Sequence, residues 1–157
     1  MRSSSIHEIK QELVTLKAAE VTAICLRLAR FKKENKELLT YLLFESQDEQ
    51  QYIKHIKQEI GELFAEINLS HLYFAKKTLR KILRVINKHS RYSGNKQTDM
   101  ELRIFFCRQL KASGIPFRQN PVLGNIFDGQ LKKIDAALAT LHDDLQHDYN
   151  NEIAALR

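Results

Sequence analysis

Glycine and proline are scarce in this chain, five of the one and two of the other among 157 residues. So few turn formers argue against an all-β fold and against disorder. Tryptophan is absent and cysteine occurs twice. Cys25 and Cys107 stand alone in apolar helical patterns, which fits buried free thiols and excludes a secreted disulfide framework. Unbroken apolar runs are only a few residues long, far below the roughly 18 that a membrane span needs. The start, MRSSSIHEIK, carries no apolar signal core. The expected setting is therefore the cytoplasm, without stable membrane insertion.

What is abundant is helical periodicity. Ser5 and Glu8 have the spacing of a capping box, and Ile6, Ile9, Leu13 and Leu16 follow at helical steps. Val21, Ile24, Cys25, Leu28 and Phe31 mark a second stripe, and Leu38, Leu39, Leu42 and Leu43 a third. Ser46 with Glu49 predicts a cap for a helix over about 47–67, whose stripe includes Tyr52, Ile53, Ile56, Ile60 and Phe64. Ser70 is positioned to cap the next helix, with Leu72, Ala75, Leu79, Ile82 and Ile86 inward. Thr98 and Glu101 predict one more start, ahead of Leu102, Phe105, Phe106 and Leu110. Residues 113–128 hold both prolines and read as a connector, with room for one short turn of helix after Pro121. A last helix is expected from about 128 to 150, with Leu131, Ile134, Leu138, Leu141 and Leu145 at heptad-like steps that allow a weak homodimer.

No segment alternates apolar and polar residues over a convincing strand. The expectation is a single all-α domain over 1–157, with about seven amphipathic helices hiding their stripes on one another. A compact bundle and a short HEAT-like stack of antiparallel helical hairpins both satisfy it.

Catalytic signals are weak. His142, Asp143, Asp144, His147 and Asp148 cluster, but one short helix rarely directs more than two ligands at a metal. Glu59, Glu62 and Glu66 lack the Glu-x-x-His partners of a di-metal bundle. Neither cysteine has the neighbouring base a nucleophile needs. No phosphate-binding glycine loop occurs. No cofactor and no metal are expected, and an enzyme with a site assembled from dispersed residues is the least favoured reading.

The strongest local signal is charge. Lys and Arg exceed Asp and Glu by six over the chain, yet His71–Lys96 alone holds eight cations and no acid. On a helical wheel Lys76, Arg80, Arg84 and Lys88 form one row of about 18 Å, with Lys77 and Lys81 beside it. Arg91 follows in what reads as a loop with Tyr92. Like charges four residues apart repel by a few tenths of a kcal/mol per pair. The plainest expectation is a solvated face partly balanced by the acidic C-terminal helix, with Asp135, Asp143, Asp144, Asp148 and Glu152. The functional expectation is a non-enzymatic interaction module whose anion- or partner-binding residues are Lys76, Lys77, Arg80, Lys81, Arg84, Lys88 and Arg91. An acidic protein surface is the first partner it suggests, and weakly sequence-specific nucleic-acid binding is the alternative.

Overall fold

The computed structural model describes residues 1–157. It is all-α, with eight α-helices, one π-helical turn, one 3₁₀ turn and no strand. Two compact units are present, Met1–Phe44 and Glu45–Arg157.

The first unit contains α1 (Ile6–Leu13), α2 (Ala18–Phe31) and α3 (Lys33–Thr40). The Ser5–Glu8 capping box forms as its spacing predicts, with Ser5 N donating to Glu8 Oε2 at 2.6 Å. Helices α2 and α3 pack on each other, and Asn35 Nδ2 donates to the Leu28 carbonyl at 2.9 Å across their junction. None of these three helices has a buried residue. Cys25, expected in a core, is half-buried instead and lines an open apolar groove with Leu28, Leu38, Leu39 and Leu42.

The second unit is a helical bundle of α4 (Glu49–Ala65), α5 (Leu72–Ser93), α6 (Lys96–Ala112), α7 (Pro121–Leu138) and α8 (Asp143–Ala154). Helix α6 is its axis, packing against α4, α5 and α7. That role follows from its side chains: Met100, Leu102, Ile104, Phe106, Cys107 and Leu110 are all buried, so apolar contact surrounds it on several sides. The expected stripe of α4 is buried at Tyr52, Ile53, Ile56, Ile60 and Phe64. Phe64 meets Phe106 at a ring separation of 5.5 Å.

Several starts differ from expectation. Asp48, not Ser46, caps α4 by accepting from Gln51 N at 3.0 Å. Helix α5 begins after His71 with no side-chain cap, and Ser70 plays no such part. Asn95 caps α6, which frees Thr98 for a buried hydrogen bond. The stretch read as a connector is helical from Pro121. Asn120 Oδ1 accepts from the amides of Val122 and Leu123, and proline at the first helical position loses no hydrogen bond. The expected last helix is two helices. The chain leaves α7 after Leu138, and His142 Nδ1 accepts from Asp144 N at 3.4 Å to start α8. The heptad-like seam is thereby cut, and none of its five apolar residues is exposed.

Candidate functional site

Helix α5 sets the geometry of the charged face. Ala75, Leu79, Ile82 and Ile86 are buried, as the three- and four-residue steps require, and Leu83 is at the edge. Leu72 departs from that stripe and is 39% exposed, because it lies at the first helical position. The opposite side presents the cations: Lys77, Arg80, Lys81, Arg84 and Arg91 are exposed, and Lys76 and Lys88 are half-buried. Arg91 and Tyr92 are in the last turn of the helix rather than in a loop. The chain turns only at Gly94, whose φ of 67° is the left-handed conformation that ends many helices. The whole sequence-predicted set therefore shares one 22-residue helix.

The expected internal balance by the C-terminal acids does not form. Asp135 pairs with Arg157 at 2.5 Å, Glu152 pairs with Arg108, and Asp144 lies 3.5 Å from His142. Elsewhere in the bundle Glu101 takes Lys57 at 2.8 Å, Asp99 takes Arg103 at 2.7 Å and Asp128 takes Arg118 at 2.7 Å. Lys76, Lys77, Arg80, Lys81, Arg84 and Arg91 form no ion pair within the chain. Helix α8 instead engages α6: Tyr149 donates to Glu101 Oε1 at 2.6 Å, and Lys111 Nζ donates to the Ala155 carbonyl at 3.0 Å.

Arg118 is committed to α7. Its guanidinium stands 4.7 Å over the Phe127 ring and pairs with Asp128. Phe117 stacks on the same Phe127 ring at 4.7 Å.

Sequence reasoning missed the head of the face. Tyr73 is 71% exposed and Phe74 50% exposed. At 100° per residue, Tyr73 falls in line with Arg80, Arg84 and Arg91, and Phe74 with Lys81. The rings brace one another: Phe74 stands edge-to-face with Tyr73 at 5.4 Å and with His71 at 5.9 Å. The signal was present in the wheel, since aromatic residues outside the buried stripe must project where the cations do.

The arrangement offers fixed positive charge along one side of a rigid helix and an apolar end. It offers no converging base and nucleophile. Burial pushes the thiol of Cys107 up to about 12, which keeps it protonated and unreactive. No protein-family model, curated protein or solved structure matches this chain.

Proposed function

We propose that the chain is a non-enzymatic helical interaction module that binds an acidic protein surface through the exposed face of α5. One observation carries this reading: six cations of that face, Lys76, Lys77, Arg80, Lys81, Arg84 and Arg91, form no ion pair, while Glu101, Asp99, Glu152, Asp128 and Asp135 of the same bundle pair elsewhere. Salt or an anionic partner relieves their mutual repulsion. Arg80 and Arg84 supply the central contacts, with Lys77 and Lys81 alongside.

The deciding experiment titrates the full chain with poly-glutamate across salt concentrations. Binding that weakens with salt and disappears in the R80E/R84E double variant supports the proposal. No binding to poly-glutamate at low salt overturns it.

A nucleic-acid backbone is the second reading, favoured by the exposed rings of Tyr73 and Phe74 at the head of the cation row. Its measurement is a titration with mixed DNA and RNA. Tight binding with a steep salt slope, lost on the same charge reversals, would put this reading first.

A further inference from the structure

We infer that the partner segment is acidic along most of its length and carries apolar side chains at one end, which seat at the head of α5. This deepens the acidic-partner reading and rests on it. Four large apolar residues are exposed within six positions: Leu69 at 60%, Leu72 at 39%, Tyr73 at 71% and Phe74 at 50%. Such density in a chain of this kind marks a contact surface rather than scattered solvent exposure. Leu69 also borders an open hollow of about 280 Å³, lined by Phe64, Ile67, Ala112 and Gln109. The hollow lies between the end of α4 and the end of α6 and is mixed in character, with Gln109 and Ser113 beside Phe64, Ile67 and Ala112, so it adjoins the apolar helix head without extending it as a purely apolar seat.

Charge complementarity identifies the rest of the occupant. Lys76, Lys77, Arg80, Lys81, Arg84 and Arg91, none of them in an ion pair, span about 22 Å along the helix axis from first to last. A segment that fills the apolar seats and continues along α5 meets cations at every turn, and carboxylates at matching intervals answer them.

Nucleic acid fits the same surface less well. Leu69 and Leu72 are aliphatic and give a base nothing to stack on. The edge-to-face contacts from Tyr73 and His71 compete with a base for the Phe74 ring. The cations lie on one side of a helix rather than along a groove that could track a strand.

The test uses the full chain and fluorescein-labelled synthetic peptides read by anisotropy. One pair of peptides is Glu-rich with a Phe-Leu pair at the N-terminal or the C-terminal end; a third has serine in place of Phe and Leu. One of the Phe-Leu peptides is expected to bind at least about tenfold tighter than the serine peptide, the range that burying an aromatic side chain supplies. The F74S variant should remove that advantage and leave serine-peptide binding unchanged, whereas R80E/R84E should weaken all three. Equal affinity for all peptides would overturn this inference and leave the acidic-partner reading standing. Binding of none would overturn both. Tighter binding of a mixed-sequence single-stranded oligonucleotide, or of phosphatidylserine vesicles, than of any peptide would also overturn it.

Discussion

Arg103 Nη1 donates to Gln130 Oε1 at 2.7 Å, joining α6 to α7 where both side chains are buried. The same guanidinium donates to Asn87 Oδ1 of α5 at 3.0 Å and grips both oxygens of Asp99 at 2.7 and 3.1 Å. One side chain thus fastens three helices, and its planar fork is what permits it. R103A should cost about 3 kcal/mol, because it strands a half-buried carboxylate and a buried amide. R103K keeps the charge but loses the fork, and an intermediate loss is expected. Urea unfolding of both variants checks this, and a loss below about 1 kcal/mol in R103A would contradict the assignment.

Two carboxyls make stability depend on acid. Burial alone would raise Asp99, but hydrogen bonding and charge from Arg103 outweigh it and hold the group below its ordinary value. Burial would likewise raise Glu101, and Lys57 and Tyr149 reverse the direction. A depressed folded pKa means that the unfolded chain binds more protons, so this stability is present above the ordinary carboxylate range and is lost as pH falls through it. Tyr149 and Cys107 act at the other end. Burial pushes both up to about 12, from 10.0 and 9.0. Their contribution is complete below the ordinary values and falls as pH rises from about 9 toward 12. Thermal unfolding followed across pH should show both declines. E101Q should flatten the acid limb, and Y149F should flatten the alkaline limb.

Glu49 offers a third joint. Its Oε1 accepts from Thr98 Oγ1 at 2.5 Å and from Ser93 Oγ, so the first turn of α4 holds the end of α5 and the start of α6. Thr98 is fully buried, which leaves its hydroxyl no alternative in water. E49A should cost about 2 kcal/mol, the range for hydrogen bonds to a charged group. A double-mutant cycle with T98V should give a coupling of about 1 kcal/mol or more. Additive effects would show that the two side chains act independently.

These joints also mark where sequence reading stops. The capping box at Ser5 and the stripes of α4 and α5 are local patterns, and each is legible because its partners lie within one or two turns. The burial of Arg103 depends on Asn87 and Gln130, sixteen and twenty-seven residues away, so no local window contains it. Two prolines and three glycines between Gly114 and Gly129 allow only a short helical turn after Pro121 by local propensity, whereas Leu123 and Phe127 bury completely and extend it into a full helix. The break between α7 and α8 has no glycine or proline to announce it, and the leucine seam runs straight through it. The cation row was legible in full. That Lys76, Arg80 and Arg84 form no ion pair depends on where α8 packs, which is again a long-range matter.

Reversing the charges of that row should hardly disturb the fold. Arg80 and Arg84 are exposed and form no ion pair. R80E/R84E should therefore unfold within about 0.5 kcal/mol of the parent. At low salt it should gain slightly, since repulsion along the helix is relieved, and the gain should fade as salt is added. Thermal unfolding at two salt concentrations checks both points. A loss above about 1 kcal/mol would mean that these guanidinium groups hold the bundle together, and the binding tests would then need milder neutral substitutions.

The same chemical change should have opposite signs at two glycines of the bundle. Gly94 ends α5 with φ at 67°, where a side chain strains the backbone even though an added Cβ would meet open space. G94A should therefore cost about 1 kcal/mol. Gly61 lies inside α4 with ordinary helical geometry, and a Cβ there also meets nothing within 4 Å. G61A should stabilise by up to about 1 kcal/mol, because alanine has the higher helix propensity and restricts the unfolded chain. Since neither site has a steric objection, the difference between the two variants isolates backbone conformation. Urea midpoints moving in opposite directions are the expected result. A stabilised G94A would mean that the chain can leave α5 without a left-handed residue, and the α5–α6 turn that positions Arg91 would have to be redrawn.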